Sequence, residues 1–463
     1  MSFITAIAMW HDEAFSGLLI RYPWHEMMER IILDVHPPLY YILLRLWSYV
    51  FGQGLLSLRG FSLAFALLAV WACYKFVHAA FGSRNVAVLA ALALALNPFQ
   101  FQYAVEARMY TLGTALALYS SYLLTRALDN RRYWVWYGVA VAGMLYTHYY
   151  LAFTVAAQGL FILLCLLRRR EIKTIFRAAG AYIVAAVLYI PWLPSLLQQI
   201  NRVESGYWIP PMDRFSIPGT VWKMAFGGPG AGHAYVLSAA GVAGLLLLYF
   251  LRRVSNFNKW HVALGLVIPF AGAVILSLRS NIYLDRYFVF AGVYFVILLM
   301  LTITHLPKAI LRWSGVALLL VFSVYATLKN NADLHAAERP GMAAAARYFN
   351  SEVAARDKIY AGSSFVYFTF KYYNETAVPA LLYSTEPLEK IPHFSGTALL
   401  SERDLVMDLP ATPRGATVWY LWTTGYGGRR TVVPGNWKVE DEKSWPDTPA
   451  FKGDIYVTKY KVN

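Results

Sequence analysis

The sequence predicts an α-helical polytopic membrane protein followed by a small C-terminal α/β domain. Three observations carry that prediction. Of 463 residues, 58% are hydrophobic and 14% are charged, against about 25% charged in an ordinary soluble domain. Long apolar runs recur through the first 330 residues. Residues 331–463 then have ordinary charge content, several prolines and no spanning run. The abundance of Leu, Ile, Val and aromatic residues excludes intrinsic disorder. The only cysteines, Cys73 and Cys165, sit inside apolar runs, which excludes a disulfide framework. Net charge is +15. In a membrane chain this points to basic cytoplasmic loops rather than to nucleic acid.

A span needs about 20 apolar residues to cross about 30 Å of hydrocarbon. Ten segments qualify: 57–80, 85–103, 107–128, 132–147, 150–167, 174–193, 233–252, 260–278, 286–304 and 308–329. Ser2 to Trp10 is too short and reads as the end of a helix whose start is missing. It lacks the basic start and small-residue cleavage site of a signal peptide. Pro37 to Phe51 is apolar but short, with Arg45 in its middle.

Charge parity decides the topology. If 37–51 does not span and Asp12 is outside, the inner loops hold fifteen basic residues, among them Arg131, Arg132, Arg168, Arg169, Arg170, Arg252 and Arg253. The outer loops between residue 100 and the tail hold Arg108, Arg202, Arg214, Lys223, Arg279 and Arg286. If 37–51 spans, every later loop inverts and the positive-inside rule fails. The segment therefore reads as an interfacial or re-entrant helix on the outer side. The tail falls on the same side. Within it, Ala343 to Ala355 reads as a helix, and Thr417 to Trp422 and Asp454 to Tyr460 as strands.

Ionisable groups near a bilayer are expensive and are functional candidates by default. They gather on the outer face. Asp12 and Glu13, after Trp10-His11, supply carboxylates for a general base; the bland alternative is helix capping. His36 opens His36-Pro37-Pro38-Leu39-Tyr40-Tyr41, which is otherwise a proline-marked helix start. Glu106-Ala107-Arg108-Met109-Tyr110 brings an acid and an arginine two residues apart. Arginine suits phosphate through its planar fork of donors; an internal ion pair is the alternative. Thr147-His148-Tyr149-Tyr150 reads as a proton carrier or ligand site, or as an aromatic belt. Arg286-Tyr287 offers a second phosphate contact, unless Arg286 pairs with Asp285.

His11, Glu13, His36, Glu106 and His148 carry metal-ligating atoms, so a divalent metal stays open as a cofactor. Their spacing matches no metal motif. No Gly-rich phosphate loop is present.

Taken together, Trp-x-Asp-Glu at the outer end of helix one, His-Pro-Pro-Leu-Tyr-Tyr, Glu-Ala-Arg-Met-Tyr and a late Arg-Tyr resemble the glycosyltransferase family 39 superfamily. That group has the GT-C fold and includes protein O-mannosyltransferases and the lipid A aminoarabinose transferases. The resemblance covers residues 7–330. It implies a GT-C-type membrane glycosyltransferase domain over 1–330, with outer loop 11–56, and an extracytoplasmic α/β domain over 331–463. It implies transfer of a sugar from a polyprenyl-phosphate donor to an acceptor hydroxyl, with inversion, at the outer face of a bacterial inner membrane. Asp12 would be the catalytic base, with Glu13 in support. Arg108, Arg286, Tyr110 and Tyr287 would stabilise the leaving phosphate, with His36, His148, Glu106 and Tyr149 completing the binding site. The partners implied are a polyprenyl-phosphate-linked sugar, membrane lipid, and a protein, lipid or glycan acceptor.

Two rivals belong to other classes. A polyprenyl-lipid flippase or transporter would place ionisable residues near the membrane midplane. A polysaccharide ligase would rely on Arg and His in a late outer loop such as 194–232, where Tyr207, Trp208 and Trp222 sit. A ligase of that kind does not need the early Asp12-Glu13.

Overall fold

The computed structural model describes residues 4–5, 7–204, 208–251, 256–334, 341–447 and 453–463. Sixteen helices come first in chain order: α1 His11–Leu19, α2 Trp24–Leu33, α3 Leu39–Phe51, α4 Leu55–Phe81, α5 Arg84–Leu96, α6 Pro98–Ala104, α7 Tyr110–Ala127, α8 Tyr133–Leu145, α9 Leu151–Arg169, α10 Ile172–Tyr189, α11 Leu193–Glu204, α12 Ser216–Phe226, α13 Gly232–Leu251, α14 Lys259–Ser277, α15 Val289–Thr304 and α16 Ala309–Leu334. The tail adds α17 Gly341–Glu352 and α18 Ser364–Tyr373. Its strands are β1 Lys358–Ala361, β2 Ala380–Tyr383, β3 Leu405–Val406, β4 Thr417–Thr423, β5 Trp437–Pro446 and β6 Asp454–Val462.

Packing divides the chain into two compact units. One holds His36–Leu43 and Arg59–Asn330; the other holds Met1–Val35, Leu44–Leu58 and Asn331–Asn463. The sequence division placed all of 1–330 together, whereas the contacts group residues 1–35 and 44–58 with the tail.

The first unit is the membrane part. Among the described residues, six helices are long and apolar enough to cross a bilayer, or seven if one bent pair counts as a span. The ten expected runs all appear as helices, but not all with spanning dimensions. The run 85–103 breaks by 62° between α5 and α6. Pro98 cannot continue the hydrogen-bond ladder, and Asn97 restarts the helix by accepting from the Gln100 N–H at 3.0 Å. The run 132–147 shortens to α8, whose 13 residues reach about 20 Å. Pro191 and Pro194 do not end the run 174–193. Pro191 lies in a single 3-10 turn, Ile190–Trp192, and Pro194 in the first turn of α11, and a candidate span continues over Ile172–Arg202. Much of the expected loop 194–232 is therefore helical, as α11 and α12. Tyr207, Arg252 and Arg253 lie outside the described residues.

Helix α15 is the centre of this unit. It packs against α5, α7, α13 and α14, and almost every one of its side chains is buried. Outer helices keep apolar side chains exposed, among them Leu67, Trp71, Ile183, Val187, Leu318 and Val321. That is the pattern of helices whose solvent is lipid rather than water.

The second unit is built on a six-stranded sheet of order β3-β2-β1-β4-β6-β5. The first four strands pair in parallel, and β6 runs antiparallel to both β4 and β5. Strand β4 carries Val418, Trp419, Tyr420 and Leu421, all fully buried. A continuous apolar run is what a central strand covered on both faces requires. The helix and two strands expected in the tail are present as α17, β4 and β6; α18 went unexpected.

The expected helix end at Ser2–Trp10 is a correction. Residues 1–3 and 6 lie outside the described residues, and Ile4, Thr5 and Ile7–Trp10 are not helical. The Met9 N–H donates to the Tyr373 hydroxyl at 2.9 Å instead of to a helical carbonyl. The helix begins at His11, so Asp12 and Glu13 stand in its first turn. The positive end of the helix dipole favours anions there. They do not cap α1: Trp10 is its N-cap, without a side-chain cap bond.

Candidate active site

The membrane unit brings five of the sequence-predicted motifs' residues into one buried cluster. Arg108 precedes α7 and is 3% exposed. Its Nη1 donates to the Tyr41 hydroxyl at 3.4 Å, and its Nη2 donates to His36 Nε2 at 3.2 Å. A guanidinium only donates, so His36 accepts at Nε2. Its proton then sits on Nδ1 and the ring is neutral. His36 is held in turn from α11: Gln199 Nε2 donates to its carbonyl at 3.4 Å.

His148 lies 6.2 Å from His36, centroid to centroid, and is 5% exposed. Aromatic rings box it in: Tyr287 at 5.0 Å, Phe290 at 5.1 Å, Tyr150 at 6.0 Å and Tyr110 at 6.1 Å. The Tyr150 backbone N–H donates to His148 Nδ1 at 3.1 Å. Nδ1 is therefore an acceptor, and Nε2 carries the proton. Nε2 is buried with no hydrogen-bond partner among the described residues. Burial, first of all, pushes the imidazole well below its ordinary pKa, and its electrostatic interactions with His36 and Arg108 act in the same direction. The ring is thus a neutral donor whose N–H finds no acceptor among the described residues.

Close helix approach creates this box. A Cβ at Gly113 on α7 would stand 2.4 Å from the Phe290 ring of α15. Only glycine lets the two helices bring the Tyr110 and Phe290 rings within 6.5 Å of each other beside His148.

The remaining candidates sit around the cluster. The charges of Arg286, Glu106 and Arg108 all act on the Tyr110 hydroxyl. Tyr149 donates to Gln199 Oε1 and accepts from the Trp192 indole at 3.1 Å. The alternative offered for Arg286, an ion pair with Asp285, gives way to another partner at Asp285. Its carboxylate pairs with Lys223 of α12 and accepts the Arg286 backbone N–H at 2.6 Å. The Arg286 guanidinium lies 5.9 Å from the Trp208 ring centroid, within cation–π range.

Asp12 and Glu13 belong to the other unit. Asp12 is partly exposed, and its Oδ1 lies 3.4 Å from His11 Nδ1. Glu13 is buried. Among the described residues, no three His, Cys, Asp or Glu side chains group as a metal site.

Sequence reasoning missed Tyr41, Tyr150, Gln199, Lys223 and Phe290 as members of this region. Tyr41 and Tyr150 were inside the quoted motifs, where a partner role was readable. Gln199, Lys223 and Phe290 reach the site only through helix packing, and no local pattern marks them.

Chemically, the membrane-unit cluster offers a buried guanidinium, a buried neutral N–H and phenol hydroxyls. That donor set suits an oxyanion, phosphate above all.

Residues 35–194, about a third of the chain, match the family model described as dolichyl-phosphate-mannose-protein mannosyltransferase. The crystal structure of ArnT from Cupriavidus metallidurans in the apo state matches with TM-score 0.61 at 13% identity, over 98% of this chain and 95% of that one. ArnT from the same organism bound to undecaprenyl phosphate matches with TM-score 0.65 at 12% identity, over the same 98% and 95%. No curated protein matches the chain by sequence. The protein is an α-helical polytopic membrane protein with the GT-C fold of these ArnT structures. The motif resemblance to the glycosyltransferase family 39 superfamily is borne out by the family match, which takes in His36, Glu106, Arg108, Tyr110, His148 and Tyr149.

Proposed function

We propose that the protein transfers a sugar from a polyprenyl-phosphate donor to an acceptor hydroxyl, on the extracytoplasmic face of a bacterial inner membrane. The observation that carries this reading is the buried His148 N–H beside the Arg108 guanidinium, in a box of tyrosines. Donors committed to each other would need no ligand; the buried Nε2–H has no acceptor among the described residues. A phosphate oxygen would supply one. The fold likeness to an undecaprenyl-phosphate complex supports the same ligand class.

In this reading Arg108, His148, Tyr110, Arg286 and Tyr287 hold the donor phosphate, with His36 fixing Arg108 and Tyr149 lining the site beside Gln199. Asp12 acts as base, with Glu13 supporting it. Its carboxylate takes the acceptor proton as the acceptor oxygen bonds to the anomeric carbon. The bond from that carbon to phosphate oxygen breaks, and its electron pair leaves with polyprenyl phosphate. Attack opposite the leaving group inverts the anomeric centre. The cationic and N–H donors stabilise the charge that develops on the leaving oxygen. Glu106, two residues before Arg108 in sequence, offsets the positive charge of the donor cluster.

The test is a turnover assay on purified protein in detergent, with undecaprenyl-phosphate-linked hexoses and pentoses as donors and released undecaprenyl phosphate as readout. Asp12→Asn is expected to abolish turnover while leaving donor binding intact. Full turnover in that variant would remove Asp12 from the mechanism.

A further inference from the structure

The residue before Asp12 is a histidine whose ring is 4% exposed. Its Nδ1 faces Asp12 Oδ1 at 3.4 Å. A carboxylate only accepts, so Nδ1 carries the proton and Nε2 becomes the acceptor. Nε2 is buried with no hydrogen-bond partner among the described residues. A second hydrogen bond therefore does not orient this imidazole; packing does.

The packing comes from α18. The His11 ring lies 4.8 Å from Phe365 and 5.5 Å from Phe368, the latter edge-on at 77°. Two further contacts press α1 onto the same helix. The Met9 N–H is held by the Tyr373 hydroxyl, and Gly17 faces Tyr372, whose ring would lie 2.8 Å from an added Cβ. Behind Phe365 stands Tyr426, with ring centroids 4.5 Å apart. Tyr426 holds a left-handed backbone, φ +53°. A bulky residue keeps that conformation only where its surroundings over-determine it.

From this arrangement we infer that His11 is a positioning residue for Asp12, and that α18 of the C-terminal segment sets it. The imidazole gives the carboxylate one directed hydrogen bond, which selects the rotamer that meets the acceptor proton. This rests on the reading of Asp12 as base. At 3.4 Å the bond is longer than usual, and catalytic hydrogen bonds often tighten only once substrate is bound. The sheet domain is thereby part of the catalytic apparatus: it holds the ring that aims the base.

The experiment measures kcat and KM of the full-length protein in detergent, using an undecaprenyl-phosphate-linked sugar that the wild type turns over. His11→Phe keeps an aromatic ring on Phe365 and removes the donor. It is expected to lower kcat by about 10- to 100-fold, the scale of a small misplacement of a reacting group, with donor KM unchanged. His11→Asn restores a donor near the position of Nδ1 and is expected to recover most of kcat. Phe365→Ala loosens the ring and is expected to fall between the two. Folded His11→Phe with wild-type kcat would overturn the inference, as would His11→Asn no better than His11→Phe. Asp12→Asn is run in parallel. If it stays active, the base assignment itself fails; if it is inactive while His11→Phe is normal, only the role of His11 fails.

Discussion

The cluster around His148 and the first turn of α1 are both polar and walled by aromatic rings, yet they are organised for different tasks. The His148 cluster is a collection of donors: a guanidinium, a neutral imidazole N–H and phenols. The α1 turn holds acceptors, the carboxylates of Asp12 and Glu13, with one imidazole between Asp12 and the α18 rings. Donors suit an anion that arrives and leaves; an acceptor suits a proton that must be taken. The contrast separates ligand binding from chemistry, so variants in the two regions should fail in different kinetic parameters.

Four expected outcomes test that separation, beginning with the largest. Gly113→Leu should prevent the α7–α15 approach, because even a Cβ meets Phe290 at 2.4 Å. Loss of folded protein by size-exclusion chromatography is expected; a folded, active variant would show that the aromatic box has slack. Arg108→Ala comes next. Loss of a charge-assisted contact to phosphate should weaken donor binding by about 30-fold or more, visible as a raised KM, with kcat lowered as well because the same guanidinium stabilises the leaving phosphate. A change confined to kcat would break the contrast between the regions.

His148 sharpens the comparison further. His148→Phe keeps the ring stacking and should weaken donor binding several-fold, whereas His148→Gln retains an amide donor and should lose less. Equal losses would mean that the N–H does not touch the phosphate. The same residue makes a pH prediction. Its folded pKa is lowered by burial and by His36 and Arg108, while an unfolded histidine titrates near ~6.5. The unfolded chain therefore binds more protons below ~6.5, and stability falls as pH drops through that range. Thermal unfolding of His148→Gln from pH 8 to 5 should show a shallower acid loss than wild type. An identical slope would contradict the burial of a neutral ring.

The smallest effect is expected at Lys223→Met. It removes the partner of Asp285, which frees that carboxylate to draw the Arg286 guanidinium away from Trp208. Because the pair is partly exposed, a two- to three-fold rise in donor KM is the scale expected of about 0.5 kcal/mol. Lys223→Arg should restore wild-type KM. No change in either variant would reduce the pair to surface decoration.

The two regions also differ in how much of them was legible. The donor cluster was readable because its residues come in short motifs at helix ends, where charge beside an apolar run is costly and noticeable. Arg108, His36, His148, Tyr110 and Tyr287 were all named from such motifs. What the sequence withheld were partners set by packing, such as Gln199 from α11 and Phe290 from α15. At α1 the carboxylates were recognised but misplaced. An apolar stretch before His11 suggests a helix that ends there. The chain instead starts a helix there, since its preceding backbone hydrogen bond goes to Tyr373, more than 350 residues away. No window of local periodicity contains such a partner. The same limit explains why ten apolar runs gave fewer helices of spanning length. Proline positions were visible, but whether Asn97-Pro98 bends a helix or Pro191 merely tightens one depends on neighbours distant in sequence.

Binding of undecaprenyl phosphate to the full-length protein in detergent, compared between wild type and Arg108→Ala, tests the central claim most directly. The account predicts saturable binding by wild type that is largely lost in a folded Arg108→Ala. Undiminished binding in the variant would take the phosphate away from the His148 cluster. No binding by folded wild type would contradict the polyprenyl-phosphate donor altogether.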